Sequence, residues 1–505
     1  MHRAIGLLFA TFAFAAEPNE KAHKLLDEAA ATVSSTNIDI HVLSLMHLGR
    51  MYQVYDKRKS VDFFRQAFAG TTAVAEDSKD ALQGEIVKNL ADVSLPDAIE
   101  QLRGMAAPAT TLEGNTSAID RVVSLLLAKS DFDKASEVIG LVPGEAEYPF
   151  RAAGTLFEKL PENDPRRVLV FTRATTAYQS HPAREFTEML SAHWRKLPRE
   201  VADSALTAVM NTILVKKDDS FNFEGNDSDD NGKMILKSRR EVELGWMYNV
   251  LKGIDPKRAQ ELIATNQELK AAAAKPLQEK KAAEEAKDQN AAPEEDDGLY
   301  PPVSLLRGMD IDNMADRIGK WAAAAKKAED AVKLADKDLQ QALSRIGDLP
   351  YPVMKAVAIC GLGRTFGRKD QGTGKSLYEK CTTAISDIKD PADASAPLMI
   401  AAEVANIIKQ KDQAMESMQR AFVAGVEAYV AEANAEKKNK ALREYWPSVQ
   451  ICRVVAYNAA RVFGEESEVL LQSIRDPDIS VVMRIELARA LMKDPNVVHN
   501  MSFRF

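Results

Sequence analysis

The chain has 505 residues, 46% hydrophobic and 28% charged, with a formal net charge of −8. This composition provides ample apolar surface for packed cores and excludes a wholly disordered chain. An acidic balance without a block of Lys and Arg excludes a nucleic-acid or anionic-lipid surface, because both need clustered positive charge.

Met1-His2-Arg3 is a short basic start, Ala4 to Phe14 is an apolar run too short to span a bilayer, and Ala13-Phe14-Ala15 has the small-x-small pattern of a cleavage site. We read residues 1–16 as a signal peptide. The chain is then exported, periplasmic or secreted, with no integral membrane segment once the leader is removed.

Residues 17–217 carry apolar positions at helical spacing. Leu25, Leu26 and Ala29 open the pattern, Val42, Leu45, Met46 and Gly49 continue it, and Val122, Leu125 and Leu126 lead to Val138 and Ile139. Breakers such as Leu95-Pro96-Asp97, Val142-Pro143-Gly144, Leu160-Pro161 and Leu197-Pro198 divide the run into successive helices. We expect an N-terminal helical-repeat region here.

Residues 218–240 form an acidic loop. Within it, Asp227-x-Asp229-x-Asn231-Gly232 matches the first half of a calcium-binding loop, where alternate oxygen ligands and a glycine turn enclose the ion. The twelfth position is Ser238 rather than a bidentate Glu, so a solvated acidic loop is the preferred reading. A helix over 241–267 carries Trp246, and residues 268–302 form a charged Ala/Lys/Glu-rich linker ending near Glu294-Glu295-Asp296-Asp297.

Residues 303–505 form a C-terminal helical-repeat region with a long leading helix. Met314, Ile318, Trp321, Ala325, Ala328, Val332, Ala335 and Leu339 recur at alternating steps of four and three, which predicts one apolar seam. The seam is expected to pack on its own chain; a self-associating coiled coil is the alternative. Gly372-Thr373-Gly374-Lys375-Ser376 has the look of a phosphate loop, but Lys369 stands where its first Gly belongs, so a turn between paired helices is expected. Cys360, Cys381 and Cys452 are read as small buried residues, with a Cys360–Cys381 bridge across one hairpin as the alternative. His41 and His47, like His181 and His193, lack the four-residue spacing of a helical zinc site.

Two internal matches point to repetition. Ser60 to Phe68 is echoed by Ala414 to Phe422, each with a small opening residue, an apolar residue four later and a closing Ala-Phe. Asp131-Phe132-Asp133-Lys134-Ala135, leading to Tyr148-Pro149, is echoed by Asp336 to Ala342, leading to Tyr351-Pro352; a weaker copy runs through Asp476-Pro477. Leu48-Gly49-x-x-Tyr52 followed by Ser60-x-x-x-Phe64-x-x-Ala67 resembles a tetratricopeptide unit, with Tyr52 to Ser60 one residue shorter than the family spacing. The remainder resembles a degenerate, HEAT-like α-solenoid. The resemblance implies protein or peptide binding and carries no catalytic residue.

The fold expected is all-α: an α-solenoid of stacked antiparallel helical hairpins in two halves separated by the charged linker. The function expected is a protein- or peptide-binding scaffold or assembly factor rather than an enzyme, with no catalytic residue, metal set or cofactor assigned. The alternatives are a hydrolase-like enzyme with a site between the halves, and a calcium-dependent binding module at Asp227, Asp229 and Asn231.

Overall fold

The computed structural model describes residues 20–106, 116–142, 148–215, 223–228, 234–274, 311–435 and 442–493. The leader expected at 1–16, most of the linker, and Asp229 and Asn231 lie outside the described residues. The described chain is all-α in class, with one small antiparallel hairpin.

In chain order the helices begin with α1 (Glu20–Thr32), α2 (Ile38–Tyr55), α3 (Lys57–Gly70), α4 (Glu76–Val93) and α5 (Leu95–Arg103). They continue with α6 (Ala118–Ala128), α7 (Phe132–Ile139), α8 (Phe150–Lys159), α9 (Arg166–Ser180), α10 (Arg184–His193) and α11 (Arg199–Val215). Strands β1 (Phe223–Ser228) and β2 (Met234–Ser238) precede α12 (Arg239–Ile254), α13 (Pro256–Thr265) and α14 (Gln267–Ala274). The C-terminal set is α15 (Ile311–Leu334), α16 (Leu339–Gly347), α17 (Pro352–Gly367), α18 (Gln371–Ser386), α19 (Pro391–Ile407), α20 (Lys411–Ala435), α21 (Pro447–Phe463) and α22 (Pro477–Leu491). The β1–β2 hairpin falls inside the segment read as an acidic loop, where alternation was too weak to announce strands.

Aspartate punctuates these helices. Asp56, Asp131, Asp338 and Asp370 each sit one residue before a helix and accept first-turn backbone N–H groups with their carboxylates. Asp255, Asp390 and Asp476 do the same ahead of a proline, which fits the first turn because it has no N–H to satisfy. The Asp131 and Asp338 caps stand at equivalent points of the internal match, so α7–α8–α9 and α16–α17–α18 start from the same local device.

The Ser60 and Ala414 segments lie on α3 and α20, and Phe64 and Met418 are both fully buried. Ser60 Oγ donates to the Gly49 carbonyl at 2.6 Å, and a Cβ at Gly49 would stand 3.0 Å from the Phe64 ring. Gly49 is therefore the slot that lets the aromatic in. The turns that lead into these two helices differ in length. Asp56 alone joins α2 to α3, whereas Ile408-Lys409-Gln410 join α19 to α20, with Lys409 left-handed at φ 62° and Gln410 N–H returning to the Ala405 carbonyl at 2.8 Å. The N-terminal copy omits the left-handed residue that closes the other turn.

The chain forms two compact units, one joining residues 1–73 to 293–505 and the other spanning 74–292. This differs from the division at the linker expected from composition. Charge runs mark solvated segments, but unit membership follows buried contacts, and α1 packs along α22 at the far end of the chain. In the second unit successive helices pack on one another from α4 to α14, and β1 and β2 lie against α12. Its core includes Phe157, Phe171 and Phe186, with ring centroids 5.4 Å apart for the first pair and 5.7 Å for the second.

In the first unit α2 pairs with α3, α17 with α18, and α19 with α20, while α17, α19 and α21 follow one another side by side. Trp321, Ala325, Ala328 and Ala335 of the predicted seam are buried against α16 and α17, so the seam packs within the chain. Leu339 is corrected: it opens α16, because Asp338 caps a new helix there. The side chains of Met314 and Ile318 lie outside the described residues.

A polar seam fastens the two chain ends. Asp478, 2% exposed, accepts from the Asn37 backbone N–H at 2.8 Å, from the Asn37 side-chain amide and from Tyr429 Oη, and lies 3.6 Å from Arg443. Arg443 N–H donates to Asp39 at 2.6 Å, and Arg484 reaches Glu28 at 3.2 Å. Arg453 Nη2 donates to His47 Nε2 at 2.9 Å and lies 3.7 Å from buried Glu486, which also accepts from Arg489 at 2.9 Å. A guanidinium only donates, so His47 is held as the neutral ring with Nε2 accepting. Burial, then the charges of Arg453, Arg489 and Arg50, push its pKa well below the usual value.

Two predictions arise from this packing. Phe64→Ala is expected to lower the stability of the first unit by about 3–5 kcal/mol, read by calorimetry. The second concerns pH. Below about pH 6.5 the unfolded chain binds a proton that folded His47 refuses, so this stabilisation is complete above that pH and is lost as pH falls, by up to about 1.4 kcal/mol per pH unit. Melts between neutral pH and about pH 5 should therefore show a smaller drop for His47→Gln, which keeps an acceptor but does not titrate.

Candidate functional site

The segments singled out for chemistry have structural duties. Gly372, Thr373 and Gly374 form the first turn of α18, where a phosphate would sit. The Asp370 carboxylate already occupies that position, accepting from Gly372 N–H at 3.3 Å and Thr373 N–H at 2.7 Å. Its hydrogen bonds to Thr373 and Gly372 hold its pKa below the usual carboxylate range. A Cβ on Gly374 would stand 2.6 Å from the Gly367 Cα, so the glycines serve close packing of α17 on α18.

The same close approach corrects the reading of the cysteines. Cys360 of α17 and Cys381 of α18 form a disulfide, with Cα atoms 5.0 Å apart. Cys452 is free and buried, and burial pushes its thiol pKa up, away from thiolate chemistry.

The histidines have separate partners. His41 Nδ1 donates to the Val33 carbonyl at 2.9 Å. His193 lies 3.4 Å from Glu158 and packs on Phe157, and burial lowers its pKa. Among the described residues no group of three or more His, Cys, Asp or Glu is placed to hold a metal ion. Asp227 lies on β1 in register with Ile235, an extended ladder rather than a chain coiled around an ion. The melting temperature is therefore expected to be unchanged by calcium or by a chelator; a rise with calcium would restore the calcium-loop reading.

A different place carries a concentration of charge. A cleft of about 450 Å³ in the first unit is lined by Arg364, Thr365 and Arg368 from the end of α17, by Glu403, Asn406 and Ile407 of α19, and by Arg461 and Val462 of α21. Glu403, with its side chain 14% exposed, accepts from Arg364 Nη1 at 3.3 Å and from Arg461 Nη2. Arg368 is exposed, and its guanidinium has no partner among the described residues. The lining thus sets the charges of Arg364, Arg368 and Arg461 against the single carboxylate of Glu403. Planar guanidiniums offer paired donors to carboxylate or phosphate oxygens, so the chemistry of this lining suits an oxyanion.

The only sequence trace of this site is the four-residue step from Arg364 to Arg368, which places both near one helix face. Glu403 and Arg461 arrive from distant segments, and only the side-by-side packing of α17, α19 and α21 joins them. No protein-family model matches the chain, and comparison with curated proteins finds no match.

Proposed function

We propose that the chain is an exported α-solenoid that binds a protein or peptide, as a scaffold or assembly factor. The observation that carries this reading is the recurrence of a tightly paired helical hairpin: α2 with α3, where Asp56 caps the second helix and Gly49 admits the buried Phe64, and α19 with α20, where Met418 is buried at the matching position. Hairpins built alike and packed side by side present successive helix ends and turns as an extended surface, which suits recognition of a chain better than of a single reacting atom. The tetratricopeptide-like and HEAT-like readings belong to this proposal.

Export is supported by the basic start and short apolar run at residues 1–16, and the Cys360–Cys381 bridge is of the kind that persists in oxidising compartments. Terminal sequencing of the exported protein is expected to find a mature chain beginning near Ala16 or Glu17; an intact Met1 in the soluble cell fraction would refute export. Crosslinking followed by capture from the exported fraction, with the full mature chain as bait, is expected to recover a discrete partner in stoichiometric amount. Recovery of the bait alone would overturn the scaffold reading.

A further inference from the structure

We propose that the cleft lined by Arg364, Arg368 and Arg461 receives the carboxylates of an acidic peptide segment of the partner, an assignment that rests on the binding function above. The usual duty of an arginine at a helix end is to bond the last carbonyls and offset the dipole. Here the turn backbone bonds those carbonyls itself. Lys369 and Asp370 N–H donate to the Phe366 carbonyl at 2.9 and 2.8 Å. Ile408, Lys409 and Gln410 N–H donate to the carbonyls of Val404, Asn406 and Ala405 at 3.0, 3.1 and 2.8 Å. Two of these guanidiniums, Arg364 and Arg461, engage the Glu403 carboxylate.

Within the cleft, Glu403 serves Arg364 and Arg461 together, which orients both guanidiniums. Arg368 adds a further charge that nothing among the described residues balances. This local excess stands out in a chain of net charge −8. The volume of about 450 Å³ suits a few side chains rather than a folded domain. Ile407 and Val462 offer apolar wall to the methylene stems of glutamates, and the site crosses the ends of adjacent helices, where an extended segment is able to lie.

The test uses the full mature chain and a labelled glutamate-rich peptide, read by fluorescence polarisation, with a glutamine-rich peptide of equal length as control. Saturable binding of the glutamate peptide alone, weakened by salt, is expected. Arg368→Glu should weaken it by about tenfold or more and leave the melting temperature unchanged, because no observed contact is broken. Glu403→Gln should tighten binding, because it removes the carboxylate that competes with the peptide for Arg364 and Arg461. Equal binding of both peptides, wild-type affinity in Arg368→Glu, or full displacement by inorganic phosphate at the peptide's own concentration would overturn the assignment, the last in favour of a small oxyanion. The two readings fail separately. A partner captured equally well by Arg368→Glu removes this assignment alone, whereas a failed capture beside Arg368-dependent peptide binding removes only the scaffold.

Discussion

The buried carboxylate of Asp478 is the constraint on which the first unit turns. A charge taken out of water is tolerated only where donors surround it. Here those donors come from both ends of the chain: Asn37 from the N-terminal segment, Tyr429 and Arg443 from the C-terminal one. Its burial follows from the position of α22. Ile479, Val481, Val482, Met483, Ile485, Leu487 and Ala488 are all buried, and so are Asp478, Ser480, Glu486 and Arg489, leaving this helix covered on every side. A helix of that kind needs neighbours all round, and α1, α2 and α21 supply them. The polar seam fixes the register of those neighbours, because the paired charges fit in one arrangement only, whereas apolar contacts alone tolerate sliding.

Close approach of helices is the second organising theme. Gly49 admits the Phe64 ring, and the Gly367–Gly374 contact brings α17 and α18 near enough for the Cys360–Cys381 bridge. The disulfide therefore covers a hairpin already made tight by missing side chains. The same tightness, continued from α17 through α19 to α21, gathers the arginines around Glu403.

What was legible in the sequence was local. Helical periodicity, the burial of Phe64 and Met418, and the Trp321 seam each depend on residues within a few turns of one another, so spacing alone reveals them. The disulfide was visible only as one option, since pairing depends on the distance between helices. The unit boundary was misplaced because charge runs show where chain is solvated and not which helices share a core. The β1–β2 hairpin hid in an acidic stretch with little apolar alternation. The cleft left almost no trace, because Arg364, Glu403 and Arg461 are adjacent only after hairpins stack.

The contact of α1 with α22 bears on the order in which the molecule is assembled. Asn37 and Asp478 are separated by 441 positions, and the whole second unit lies between the two parts of the first. The second unit is thus an insertion, tethered at both ends to the first. The first described helix thus waits for the last one to be made. Until then the faces of α1 that meet α22 have no lasting partner, and a long loop must close before they gain one. The N-terminal helices of the first unit therefore gain their α22 contacts only after nearly the whole chain has been made.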